Sequence, residues 1–226
     1  MTFSIVARDR ESGEFGVAIA TARPAVGALS PFVMSHVGAA ATQAIVNPRL
    51  GAQSLELMAA GATAQAALDT VVHDDEHRER RQLIVVASDG GSAGFTGAET
   101  QGWSGHLCAD DVAVAGNLLV GEDTLTALMD TFVGSRGRLA DRLLASMVAA
   151  DAVGGDRRGR QSAALLIASS DPWPTINLRV DHDTVPLRAL AELLGLWRDQ
   201  WDTFALTGVM PQASPPGPPP LPLATS

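Results

Sequence analysis

Lysine is absent from this 226-residue chain, and all 16 basic side chains are arginine. Schiff-base chemistry and a lysine general base are thereby excluded. With Cys108 as the single cysteine, no internal disulfide can form, and neither a thiolate metal cluster nor a CxxC redox pair can be built. Positive charge is scarce as well, the formal net charge being −9. That argues against a nucleic-acid partner, because binding phosphates needs clustered Lys and Arg. No uninterrupted apolar run approaches the roughly 18 residues of a membrane span, and no basic segment followed by an apolar one opens the chain. A cytoplasmic protein without a membrane partner is expected. The five histidines are scattered, and neither His106 nor Asp181-His182-Asp183 shows a metal-ligand spacing. No metal and no other cofactor is expected.

What is present suits an ordinary globule with room for an interior site: 46% of residues are apolar and 18% charged. Met1 to Asp9 reads as a strand in which Phe3, Ile5 and Ala7 alternate with Ser4, Val6 and Arg8. Asp9-Arg10-Glu11-Ser12-Gly13 supplies a polar turn and Glu14 to Thr21 runs back, so the first motif is a hairpin. Thr2 stands at the tip of its first strand. An initiator methionine ahead of a small residue such as threonine is generally removed. The trimmed chain would then begin with a hydroxyl and a free α-amine on neighbouring carbons. Such an amine titrates at about 7.7 to 8.0, near working pH, and can act as base for the hydroxyl. A paired strand would hold that residue in place rather than let it fray.

Arg23-Pro24-Ala25-Val26-Gly27 breaks the strand pattern, and Val37 to Ala44 is a small-residue stretch that lets a ligand or another chain approach the backbone. Leu50 to Leu68 has helical periodicity, divided by Gly61, with Thr63 capping the second helix. The charge run Asp74 to Arg81 reads as a solvated connection. Gln82 to Ala87 is a short apolar strand, Asp89-Gly90-Gly91 turns it into a partner over Ser92 to Thr96, and Asp111 to Ala115 is a further strand closed by Gly116-Asn117. Two helices follow within Thr124 to Ala150, separated at Gly134-Ser135-Arg136-Gly137. A glycine-dense loop, Asp151 to Ser162, leads to strands over Ala163 to Ala168 and Ile176 to Val180. Val185 to about Phe204 is a last helix with Leu190, Leu193, Leu194, Trp197 and Trp201 as its buried stripe. Hairpins alternating with helix pairs predict an α+β fold with two sheets between helix layers, a four-layer αββα sandwich over residues 1–206. Residues 207–226 are proline-rich and are expected to form a disordered tail. The alanine-rich helices and the Trp197/Trp201 face suit a homo-oligomer.

Several of these segments together resemble a known family. Thr2 to Asp9, Gly16-Val17-Ala18, Ala41-Thr42-Gln43-Ala44 with Asn47-Pro48, Phe95-Thr96-Gly97, Trp103-Ser104-Gly105-His106, Ala115-Gly116-Asn117 and Gly154 to Ala163 match the bacterial and archaeal DUF1028 family over residues 1 to about 195. That family is grouped with the Ntn hydrolases, so the resemblance implies the αββα fold and an amino-terminal nucleophile. A fainter similarity to proteasome β-subunits sets Thr2 at their threonine, Ala40-Ala41-Thr42-Gln43 near their oxyanion-hole glycine, Gly116-Asn117 near their Gly-Ser-Gly loop, and Asp151 with Gly154-Gly155 near their Asp and Ser-Gly-Gly segment. Two features depart from that pattern. Thr21 stands about where an Asp closes the second strand, and the proteasomal lysine has no counterpart. Arg23 or Arg157 could supply positive charge but stays ionised and cannot shuttle a proton.

The resemblance implies a reaction in which the Thr2 hydroxyl attacks an amide or ester carbonyl of a small-molecule or peptide-like substrate. Its proton passes through water to the Thr2 α-amine, and water then releases the acyl-enzyme. The backbone N–H groups of Thr42 and Gln43 and the Asn117 amide are the candidates for stabilising the oxyanion. Asp151 or Asp156 would hold the ammonium, and the loop Arg157, Arg158, Arg160 and Gln161 would receive a substrate carboxylate. Two alternatives stay open: a binding or assembly module that has lost the chemistry, which the missing lysine favours, and a small-ligand carrier using the same pocket.

Overall fold

The structure, a computed structural model, describes residues 2–155 and 158–207, with residues 202–207 by backbone alone. Met1, Asp156, Arg157 and the proline-rich stretch from residue 208 lie outside the described residues. The class is mixed α+β, with two antiparallel sheets and five helices among the described residues. Contacts divide the chain into a compact unit ending at Ala191 and a second beginning at Glu192.

The opening hairpin forms as its alternation predicts: β1 (Thr2–Arg8) pairs with β2 (Phe15–Thr21). Asp9 closes its turn by accepting from the N–H groups of Glu11 and Ser12 at 2.9 Å. The next strands are β3 (Pro31–Met34), β4 (Gly38–Ala44), β5 (Arg81–Ala87), β6 (Ser92–Thr96), β7 (Trp103–Ala109), β8 (Val112–Leu119), β9 (Ser162–Ala168) and β10 (Ile176–Val180). Six strands are ordered β10-β9-β2-β1-β8-β7, and the other four β3-β4-β5-β6. Thus β1 lies in the interior of the larger sheet, flanked by β2 and β8.

Side chains alternate across a strand, and this sorts the core into layers. Val6, Phe15, Val17, Ala113 and Ala115 of the larger sheet share one buried apolar cluster with Ala39, Ala41, Ile84 and Val86 of the smaller. On the far side of the smaller sheet, Ala40, Leu83 and Val85 pack with α1 (Pro48–Ala59) and α2 (Ala64–His73) through Leu55, Met58, Leu68 and Val71. Asn47 and Thr63 cap these helices by accepting from the N–H groups of Arg49 and Ala66. On the far side of the larger sheet, Gly16 admits α4 (Leu139–Ala152): a Cβ there would lie 2.5 Å from Leu143 Cδ1 and 3.2 Å from Leu139 Cδ2. The helix before it is α3 (Asp123–Gly134), and α5 (Pro186–Thr207) ends the described chain.

The structure departs from the sequence reading at four points. First, β3, β4 and β7 are strands where no strand was expected, and β4 is built almost wholly of small residues whose backbone pairs closely with β5. Second, Gly116-Asn117 does not close β8, because its pairing with β7 continues to Leu119. Third, the charge run is not simply solvated. Asp75 and Arg81 are buried, Arg81 Nε donating to Asp75 Oδ2 at 3.0 Å and its Nη1 to the Ile45 carbonyl at 2.7 Å, while Asn47 Nδ2 also donates to Asp75. Fourth, the expected stripe of α5 buries Leu190 and Leu194, whereas Trp201 is 53% exposed and stacks on Trp197 with ring centroids 5.7 Å apart. Among the described residues no helix is long and apolar enough to cross a membrane, and no group of three or more His, Cys, Asp and Glu could hold a metal ion.

Candidate functional site

The start of β1 lies between two polar strand ends. Its register sets Thr2 beside Thr21 of β2 and beside Asn117 of β8. All three share the parity of Val6, Val17 and Ala115, so they face the smaller sheet. There the apolar contact between the sheets gives way to a cleft of about 580 Å³ that Thr2, Thr21 and Asn117 line. Thr2 Oγ1 donates to Thr21 Oγ1 at 3.1 Å. The remaining walls come from the loop after β2, the end of β4 and the residues that follow it, and the segment before β7, with Arg80, Leu118 and Arg158 completing the lining.

Three non-glycine residues of this cleft hold left-handed backbone: Ala25 (φ 57°), Ala44 (φ 69°) and Leu118 (φ 55°). They are three of the five such residues among the described ones. Each such conformation costs on the order of 1 kcal/mol or more and persists only where its surroundings enforce it. Strain therefore concentrates around this one cavity.

Behind the cleft a buried amide chain joins the sheets. Gln82 of β5 donates from Nε2 to the Gly105 and Gly116 carbonyls at 2.9 and 2.8 Å and to Thr96 Oγ1 at 2.9 Å. Carbonyls only accept, which fixes the polarity of the rest. Gln82 Oε1 must then be the acceptor, receiving Gln43 Nε2 at 2.7 Å and Asn117 Nδ2 at 3.0 Å. Gln43 in turn presents its Oε1 to the Ser4 hydroxyl, which donates at 2.8 Å. Asn117 is thus held with its NH2 toward Gln82, leaving one N–H uncommitted by this bond. At the far end Thr96 Oγ1 lies 2.9 Å from His106 Nδ1, and burial lowers the His106 pKa below its ordinary 6.5.

The other residues singled out in the sequence fall at varying distances from this geometry. Thr42 has the parity of Ala40, on the helix side of β4. Its hydroxyl is buried without a hydrogen-bond partner among the described residues, and its N–H donates to the Ser30 carbonyl at 3.0 Å. Gln43 reaches Asn117 only through Gln82. Asp151 pairs with Arg160 and does not line the cleft. Burial raises its carboxyl pKa and the Arg160 guanidinium partly counters the rise. Gln161 donates from its backbone N–H to the Thr21 carbonyl at 2.7 Å, and its side-chain Nε2 lies 2.9 Å from His182 Nδ1. Asp156 and Arg157 lie outside the described residues. Gln82 and Ser4 were missed in the sequence: one starts an apolar strand and the other has the ordinary polar half of an alternation. The one available signal was a lone amide at the head of an otherwise apolar run.

Comparison with known proteins places this geometry in a family. Residues 2–190 match the family described as "Family of unknown function (DUF1028)". The crystal structure of protein SPO2555 from Silicibacter pomeroyi, itself of DUF1028, superposes with a TM-score of 0.83 at 32% identity, covering 88% of this chain and 89% of that one. Anbu (ancestral beta-subunit) from Yersinia bercovieri overlaps with a TM-score of 0.44 at 9% identity, over 94% of this chain and 99% of that one. Among curated proteins none matches. By the family match over nearly its whole described length, the chain belongs to the DUF1028 family.

Proposed function

We propose that the chain is an amidohydrolase or esterase of the Ntn kind, with Thr2 as its nucleophile once Met1 is removed, and that its layers form the αββα sandwich of that superfamily. The observation that carries this reading is the seat of Thr2. Its hydroxyl is held by Thr21 at the end of an interior strand, at the edge of a cleft, with the Asn117 amide on the adjoining strand. In the trimmed chain the α-amine takes the hydroxyl proton through a water and returns it to the leaving group. Asn117 lines the cleft, and in this reading the side-chain N–H that Gln82 does not take serves the oxyanion. The Thr42 N–H does not serve, since the Ser30 carbonyl already takes it. Thr21 stands where a carboxylate would stabilise the ammonium; its hydroxyl keeps the Thr2 rotamer but adds no charge.

The cleft volume of about 580 Å³ suits a small molecule or a short peptide-like segment. The test is turnover of an amide and ester panel by the full chain and by Thr2→Ala and Thr2→Ser. Turnover that is abolished in Thr2→Ala and partly kept in Thr2→Ser supports the reading. Turnover unchanged in Thr2→Ala refutes it. The lack of any lysine favours a second reading, a ligand-binding module on the same fold. That module would saturate with ligand at the Thr2 cleft and release it chemically unchanged.

A further inference from the structure

The molecule carries a formal charge of −9, yet among the described residues its cleft is lined by three arginines, Arg23, Arg80 and Arg158, against one acid, Glu99. Arg80 Nε donates to Glu99 Oε2 at 2.8 Å, so that pair neutralises itself. A net positive cavity in an acidic protein selects for anions, because low-dielectric walls focus the local field. Arg23 is exposed, and no carboxylate pairs with its guanidinium among the described residues.

The backbone beneath Arg23 is firmly held. The Ser162 hydroxyl donates to the Arg23 carbonyl at 2.6 Å and accepts from the Val26 N–H at 3.1 Å. The Ala25 N–H donates to the Asp181 carbonyl at 2.9 Å, with Ala25 in its left-handed conformation. Gly27 packs so closely on β9 that a Cβ would lie 2.7 Å from the Ala164 Cβ. The guanidinium is therefore presented from a fixed platform, which lowers the ordering cost of binding. The same cleft leaves two large apolar side chains in the open, Leu29 at 53% and Ile45 at 60% exposure. Such side chains inside a concave site mark the seat of a ligand's apolar part.

We infer that the substrate class is an amide or ester that joins a carboxylate to an apolar acyl segment, with Arg23 binding the carboxylate and Leu29 and Ile45 the apolar part. The inference rests on the reading of Thr2 as nucleophile for the bond broken, but its binding half stands on its own. A planar guanidinium grips a carboxylate through two parallel N–H bonds, which a neutral carboxamide cannot reciprocate.

The experiment uses N-hexanoylglycine and its uncharged carboxamide, titrated calorimetrically into the full-length Thr2→Ala protein, a background in which the proposed nucleophile is gone. The carboxylate is expected to bind about tenfold or more tightly than the carboxamide, the range of a charged hydrogen-bond pair. Arg23→Gln in the same background abolishes that preference, Arg23→Lys restores part of it, and added salt weakens it. Equal affinities, no measurable binding of either compound, or a preference that survives Arg23→Gln overturns the inference. Hydrolysis of N-hexanoylglycine by the Thr2-containing chain reads the nucleophile separately. A carboxylate preference without hydrolysis keeps the anion site and removes the nucleophile, whereas hydrolysis of both compounds without preference does the reverse.

Discussion

Replacing Gln82 with leucine removes the centre of the amide chain that joins the two sheets. The side chain is fully buried and makes five hydrogen-bond contacts, two at its oxygen and three shared between the two N–H groups of its amide. Leucine leaves the Gln43 and Asn117 side-chain N–H groups facing apolar carbon. Each orphaned buried donor costs about 1–3 kcal/mol, so the pair costs about 2–6 kcal/mol. Leucine returns part of this through its apolar surface, which narrows the expectation to about 2–4 kcal/mol. Total stabilities run about 5–15 kcal/mol, so the loss is a large share. With a urea m-value of about 2 kcal/mol/M, the unfolding midpoint falls by about 1–2 M. Because Gln43 and Gln82 share a bond, Gln43→Leu combined with Gln82→Leu costs less than the sum of the two single changes. A midpoint shift below about 0.25 M for Gln82→Leu, or strict additivity of the pair, refutes the network as described.

Two further outcomes follow from other buried groups. Burial holds the His106 pKa below 6.5, so between that depressed value and 6.5 the unfolded chain binds more protons than the folded one. Stability therefore falls as pH drops through that window, and urea midpoints measured across it show a decline that His106→Gln flattens. In the Asp75–Arg81 pair, burial raises the carboxyl but bonds from Asn47, Arg81 and the His77 N–H outweigh it, leaving the Asp75 pKa below 3.8. Its contribution is present above 3.8 and is lost as pH falls through the depressed value. Arg81→Met strands the carboxylate and is expected to cost about 3–5 kcal/mol at neutral pH, checked by urea unfolding.

Strong local signals carried most of the fold. The hairpin of β1 and β2 shows in its alternation and its polar turn, and the split between α1 and α2 shows in Gly61 and Thr63. Strands without such signals were illegible. Alanine and glycine in β4 have weak strand preference, and pairing with β3 and β5 on its two sides makes them a strand. Gly116-Asn117 has turn composition, but Phe3 and Thr2 pair with it on one side and Trp103 of β7 pairs with Leu119 beyond it on the other. Thr2, singled out by its place behind Met1, and Asn117, singled out by the family resemblance, both line the cleft. Gln82 was not legible, since a buried partner set depends on which strands meet. The charge run hid the Asp75–Arg81 pair for the same reason: local composition reports polarity and not what folds over it.

The most direct test of Thr2 as an amino-terminal nucleophile is intact-mass and peptide mapping of the purified full chain after exposure to a β-lactone probe. The account predicts a chain lacking Met1 and carrying one acyl adduct on Thr2. A chain that retains Met1, or an adduct that maps to any other residue, contradicts it.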